Sequence, residues 1–170
     1  DDDGQVDLVT AYPYLDGPES FSELRIHLGP LPGAPNLDEP DIRLRSEDSA
    51  SPVLNPSRLW FSDLTDDGAT DVLMYTSPEN TLLLWPNPSG EMSTEADVIE
   101  LAVIDTNPVS SLSTTDYTGD GIADLVIGYP GAGTVHFFDG PIHDSVSLYT
   151  EDLSISVDDP DFGISLCAGD

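Results

Sequence analysis

The sequence has no lysine, four arginines, a single cysteine and no long apolar run. Each shortage excludes something. Set against 33 acidic residues, the four cations leave a formal net charge of -29, so the surface repels nucleic acid and anionic lipid headgroups, and neither is expected as a partner. One cysteine, Cys167, cannot build an internal disulfide framework, so any stapling must come from metal or from packing. Apolar runs are as short as TLLLW at Thr81–Trp85, far below the roughly 20 residues of a membrane-spanning helix, and no membrane insertion is expected. The chain opens at Asp1 with neither Met nor a leader, so a targeting signal is expected to have been removed or to lie outside these residues. Helical signals are scarce as well: 15 prolines and 14 glycines interrupt every stretch that could hold a 3.6-residue apolar period.

What is present can still build a core. Apolar residues make up 38% of the 170 and aromatics 8%, which is enough for a folded domain. The excess acid fits three settings: bound divalent cations, a high-salt environment, or solubility outside the cell. Short runs of branched and aromatic residues, each bounded by turn residues, predict strands over 7–12, 24–28, 42–45, 58–64, 72–76, 82–85, 98–103, 125–129, 134–138 and 153–157. The fold class is therefore all-β.

Internal repetition organises these strands. Asp63-Leu-Thr-Asp-Asp-Gly-Ala-Thr-Asp71 precedes VLMYTSP, and Asp116-Tyr-Thr-Gly-Asp-Gly-Ile-Ala-Asp124 precedes LVIGYP, with no gap between the two when aligned. A third copy, Asp1-Asp-Asp3-Gly-Gln-Val-Asp7 before LVTAYP, is cut at its start, and Leu166-Cys-Ala-Gly-Asp170 matches the openings Leu59–Asp63 and Leu112–Asp116. Gly4 to Gly68 spans 64 residues, Gly68 to Gly121 spans 53, and Asp116 to Asp170 spans 54. A unit of that size holds about four short strands, the content of one propeller blade. The predicted units are a partial blade with a truncated loop at 1–54, blades at 55–107 and 108–161, and the start of another at 162–170. The longer first unit carries a Pro/Gly-rich insert, LGPLPGAPNLDEPD before Ile42, read as a surface loop on one rim.

The repeated loop has the chemistry of a cation site. Oxygen-bearing side chains fall at positions 1, 3, 5 and 9 with glycine at position 6, which turns alternate residues inward around one point. The candidate calcium ligands are Asp63, Thr65, Asp67, the Ala69 carbonyl and Asp71 in one loop, and Asp116, Thr118, Asp120, the Ile122 carbonyl and Asp124 in the next. Asp1, Asp3, the Gln5 carbonyl and Asp7 form the visible part of a third, and Asp170 opens a fourth; a site shared between Asp170 of one copy and Asp1 of another is an alternative. Two carboxylates 4 Å apart repel by roughly 4 kcal/mol at an effective dielectric of about 20, so a loop gathering three favours a cation. Oxygen-only ligation of irregular geometry suits Ca2+ over zinc, copper or magnesium. An Asp-Gly pair alone is usually a plain hairpin turn, but the repetition argues against that reading. An EF-hand would need a Glu at position 12, where Met74 and Ile127 stand instead, inside predicted strands.

These residues resemble the FG-GAP repeats of integrin alpha-subunit propellers and the related bacterial FG-GAP/VCBS repeats. The likeness rests on Phe162-Gly-Ile-Ser-Leu-Cys-Ala-Gly-Asp170, with its Phe-Gly and Gly-Asp, and on the loop from Asp116 through Gly-Tyr-Pro130. It implies four-stranded antiparallel blades around an axis, with calcium in the hairpin loop between the first two strands of each. It also implies a ring of about seven blades, of which this chain supplies about three. Open blades would leave apolar faces uncovered, so the chain is expected to be a piece of something longer. Phe-Gly is replaced by Asn55-Pro56 and Pro108-Val109 in the middle units, and Thr stands at position 3 where the family more often has Asp or Asn.

No catalytic constellation stands out. His27, His136 and His143 share no ligand spacing, Ser165 lacks the second glycine of a nucleophile elbow, and Gly131-Ala-Gly133 reads as a hairpin turn and not a phosphate cradle. Cys167 is expected as a buried, inert thiol on an inner strand. Trp60, Trp85, Phe137, Phe138, Tyr12 and Tyr129 are expected to fill the space between blades. The chain therefore reads as a non-enzymatic, extracellular or cell-surface module that offers its rim to a protein or glycan, and packs against further blades or neighbouring subunits. The alternatives are a non-catalytic propeller region of a larger secreted enzyme, or a structural subunit of a surface filament or coat.

Overall fold

The computed structural model describes residues 5–14, 21–31, 33, 36–46, 59–76, 81–93, 97–101, 109–143 and 151–167. In chain order the strands are β1 (Leu8–Tyr14), β2 (Phe21–His27), β3 (Ile42–Arg45), β4 (Leu59–Ser62), β5 (Asp71–Thr76), β6 (Thr81–Trp85), β7 (Gly90–Ser93), β8 (Ile99–Leu101), β9 (Ser111–Thr115), β10 (Asp124–Tyr129), β11 (Thr134–Phe138) and β12 (Leu153–Ser156). They form three four-stranded sheets, ordered β1-β2-β3-β7, β4-β5-β6-β8 and β9-β10-β11-β12. The second and third are antiparallel meanders. The first departs from that pattern: β7 leaves the chain path between β6 and β8 and pairs parallel with β3, Ile42 opposite Gly90. Trp85 fastens this excursion, donating its indole N–H to the carbonyl of Ser93 at 3.3 Å.

Sheet stacking explains why β5 and β10 are buried along their whole length. On β5, Val72 and Met74 join Leu83 and Trp85 in packing against Leu24, Ile26, Ile42 and Leu44 of the first sheet. The intervening Leu73 and Tyr75 pack with Leu82 and Leu84 against Leu125, Ile127, Tyr129 and Phe138 of the third. A strand covered on both faces has no polar side, so its sequence is a continuous apolar run and not an alternation. Each fully buried leucine or aromatic in these layers contributes about 1.5–3 kcal/mol of transfer free energy.

The two outward faces of the stack differ. On the third sheet, Leu153 and Ile155 stand 49% and 43% exposed beside Phe137, an apolar surface. On the first, the register sets Thr10 opposite Arg25 and Tyr12 opposite Glu23, and Glu23 is opposite Arg45 on the other side. Buried Glu23 bonds Arg25 and lies 3.2 Å from Nε of Arg43, while Arg43 reaches Glu91 at 2.7 Å and Arg25 stacks 4.0 Å over the Tyr12 ring. The same arginines hold the Pro/Gly-rich insert: Arg25 donates to the Leu37 carbonyl at 2.9 Å and Arg43 to that of Asp38 at 3.3 Å.

Glycine spacing is explained by one close approach. A Cβ on Gly128 would collide with the Gly163 carbonyl and with the Ser111 hydroxyl, which itself donates to that carbonyl at 2.6 Å. The Phe162-Gly163 pair thus seats on the glycine of the unit before it. Residues 162–165 do so as turns and bends. Cys167 is exposed outside any strand, so the expected buried inner-strand thiol is corrected. Among the aromatics, Trp85, Tyr129 and Phe138 are core as expected, whereas Tyr12 is exposed. No helix among the described residues is long and apolar enough to cross a membrane.

Candidate functional site

Both complete loops occupy the same place in their sheets, 63–70 between β4 and β5 and 116–123 between β9 and β10. Two residues in each take a left-handed backbone. At position 6 these are Gly68 (φ 84) and Gly121 (φ 92), and at position 4 Asp66 (φ 55) and Gly119 (φ 80). Nothing lies within 4 Å of a Cβ built on Gly68 or Gly121, so their glycines answer a backbone demand and not crowding. Aspartate is among the few other residues that visit this region readily, which suits Asp66 to position 4.

The carboxylates divide into two groups. Those at positions 1 and 5 are at the surface and cap the turn from outside. Asp63 accepts the N–H groups of Asp67 (3.1 Å) and Gly68 (2.9 Å), and Asp67 accepts that of Ala69 (2.8 Å). In the second loop Asp116 accepts the N–H groups of Gly119 (2.6 Å), Asp120 (3.1 Å) and Gly121 (2.8 Å), and Asp120 accepts that of Ile122 (2.9 Å). These bonds, that from Gly121 foremost, hold the Asp116 carboxyl below the usual carboxylate range.

Position 9 is different. Asp71 and Asp124 are fully buried. One oxygen of Asp71 accepts the N–H groups of Leu64 (2.8 Å) and Thr65 (3.0 Å), and the other that of Asn87 (2.9 Å) across the sheet. Asp124 repeats this with Tyr117 (2.9 Å), Thr118 (3.1 Å) and Gly140 (2.8 Å). In the truncated copy Asp7 accepts the N–H of Gly29 at 2.8 Å. The position-nine carboxylate therefore staples the loop entrance to the turn after the second strand of its hairpin, and backbone dipoles compensate its buried charge.

Thr65 is buried with its hydroxyl 3.4 Å from Asp71, and Thr118 lies exposed with its hydroxyl 3.4 Å from Asp116. Gln5 is exposed beside the truncated copy, and Asp1, Asp3 and Asp170 lie outside the described residues. Among the described residues no three His, Cys, Asp or Glu side chains converge as a metal cluster. The donor set that each loop leaves at the surface consists of oxygen alone and includes two carboxylates, Asp63 with Asp67 or Asp116 with Asp120, which fits a hard cation such as calcium.

Other parts of the arrangement escaped the sequence reading. The turns that receive the position-nine staple begin Gly29-Pro30, Asn87-Pro88 and Gly140-Pro141, a repeated X-Pro that was available as a signal. Beside the third unit's loop, Tyr117 packs edge-on to Phe137 with ring centroids 5.2 Å apart and donates its hydroxyl to Asp139. Partial burial, with the nearby charge of Asp152, pushes the Asp139 carboxyl up.

The unit from β9 through the Gly140 turn thus joins a strand, an Asp/Gly loop, a hairpin and a staple in one stretch of chain. Residues 108–141 match the family model of the FG-GAP repeat. The matched stretch takes in the complete second loop and the Gly140 N–H that closes on Asp124. The second sheet carries the same loop and staple without falling inside the matched span. No curated protein and no solved structure matches the chain.

Proposed function

We propose that this chain is a non-catalytic binding or scaffolding module of the β-propeller type, situated outside the cell or at its surface, with calcium held at its hairpin loops. The observation that carries the reading is the repetition of one loop geometry in two sheets, each presenting half-buried or exposed carboxylates at positions 1 and 5 over a buried carboxylate at position 9. Asp63 and Asp67, with Thr65 and the Ala69 carbonyl, would hold one ion, and Asp116 and Asp120, with Thr118 and the Ile122 carbonyl, another. Asp71 and Asp124 support each site from behind or join it by giving up a backbone partner. Bound calcium supplies positive charge where the chain, at a formal -29, concentrates negative charge, and so relieves repulsion within each loop. The rim formed by these loops and by the arginine-held insert faces a protein or glycan partner.

A second reading, a structural subunit of a surface assembly, is favoured by the exposed Leu153 and Ile155, an apolar surface of the kind that packs between copies. An interface between copies burying well over about 1,000 Å² would favour it.

Thermal melts with calcium and then with chelator test the metal reading. Calcium is expected to raise the melting temperature by at least about 5 °C, with about two ions bound per chain by calorimetry. Superimposable melts with no binding heat would leave the loops as acidic turns only.

A further inference from the structure

The sequence of β7, GEMS, gives a strand little support of its own, and side chains hold it in place. β7 forms the edge of the first sheet opposite β1, in register with β3 so that Met92 stands beside buried Leu44. Glu91 accepts a bond from Arg43 at 2.7 Å, the Ser93 carbonyl accepts the indole N–H of Trp85 at 3.3 Å, and the Ser93 N–H donates to Asp97 at 3.0 Å. Met92 completes the set. Half-buried, it packs against the apolar layer that holds Leu44, Leu83 and Trp85, and its sulfur accepts the N–H of exposed Ser89 at 3.4 Å. One thioether thus closes the turn that enters β7 and anchors the strand between the first and second sheets.

The chain's two methionines differ in access. Met74 is fully buried in the same layer, whereas the Met92 sulfur lies against a surface turn. Peroxides oxidise thioethers, and the sulfoxide replaces a flexible apolar side chain with a polar one. An S=O group set into an apolar layer must find a hydrogen-bond donor or leave. We propose that Met92 is an oxidation site, at which a peroxide converts the thioether to the sulfoxide and releases β7 from β3. With hydrogen peroxide, the sulfur lone pair takes the terminal oxygen and the O–O bond breaks. The proton of the transferred OH passes to the departing hydroxide, so sulfur is oxidised as the peroxide is reduced to water. β7 lies in the chain between β6 and β8 of the second sheet but pairs with the first, so its release loosens one unit from the other. This site goes beyond the binding role proposed above and does not depend on calcium at the loops.

The test treats the full chain with hydrogen peroxide, in a Cys167→Ser background that keeps the exposed thiol out of the reaction. Peptide mapping by mass spectrometry is expected to find one added oxygen on Met92 at least about tenfold faster than on Met74. Hydrogen exchange at the amides of Gly90–Ser93 should then quicken by at least about tenfold, with β10 unchanged, and methionine sulfoxide reductases acting on both epimers should restore protection. Met92→Leu, close in volume, should keep β7 protected and remove the response to peroxide. Met92→Gln, polar at the same length, should expose β7 without any peroxide. Equal oxidation of the two methionines, Met92 sulfoxide with β7 exchange unchanged, or a full peroxide response in Met92→Leu would overturn the proposal. Calcium binding has its own readout in the melts above, so either result leaves the other standing.

Discussion

The aspartates at the two ends of each loop share a side chain and almost nothing else. Asp71 and Asp124 are fully buried and spend both oxygens on backbone N–H groups from two separate turns. Asp63 and Asp116 are at the surface and, among the described residues, bond within their own loop. Burial decides the difference in worth. When a buried acceptor is removed, its donors are left without water, whereas exposed donors find a solvent partner at once. In a chain of formal charge -29, one set of carboxylates is thus compensated by amide dipoles and built into the fold. The other set bonds its own loop at the surface and is the set proposed above to meet a cation.

Exchanging the two kinds breaks the comparison most directly. Asn in place of Asp71 or Asp124 sets an NH2 group against backbone N–H donors and leaves at least one of them unsatisfied. Asp124→Asn and Asp71→Asn are each expected to cost about 2–4 kcal/mol in denaturant unfolding, with calcium or with chelator. Equal stability to the wild type in chelator would show that the position-nine carboxylate serves the ion and not the scaffold. Asp63→Asn and Asp116→Asn should behave the other way round, with little change in chelator and loss of the calcium-dependent rise for the affected loop. Calorimetry should then count about one ion fewer per chain.

The loops were legible in the sequence because their demands are local: glycine at a left-handed position and oxygen at alternate residues leave a signature that needs no tertiary knowledge. β5 and β10 were legible for a related reason, since Val72–Tyr75 and Leu125–Ile127 are apolar without alternation and had to be covered on both faces. What was missed depends on distant partners. β9, SLSTT, has only Leu112 as a buried apolar residue and is a strand because β10 offers its edge, with Leu125 opposite Thr114. β7, GEMS, has no strand pattern of its own and exists by parallel pairing with β3. Spacing did place Asp71 in the loop, but its bond to Asn87, 16 residues away, requires the hairpin to be folded first. Cys167 was misplaced because Leu-Cys-Ala copies the strand-opening pattern, while its own segment turns at Phe162–Ser165.

The smallest expected effect sharpens the comparison within a single repeat. Asp116 and Asp139 both lie at the surface of the third unit, and their carboxyls move in opposite directions. Asp116 is lowered because loop N–H groups, led by Gly121, bond its charged form; its contribution is present above the ordinary carboxylate value and is lost as pH falls from there through the lowered one. Asp139 is raised by partial burial and by the charge of Asp152, so the folded state holds its proton to higher pH than the unfolded chain does. Its contribution is greatest below the ordinary carboxylate value and declines as pH rises through the raised one. Asp139→Asn keeps an acceptor for the Tyr117 hydroxyl and removes that decline. Melting curves of the variant and the wild type should coincide at acid pH and separate at neutral pH, the variant higher by about 1–2 °C, a modest shift because water screens the pair. A variant less stable than wild type at neutral pH would mean that the charged Asp139–Tyr117 bond outweighs repulsion from Asp152.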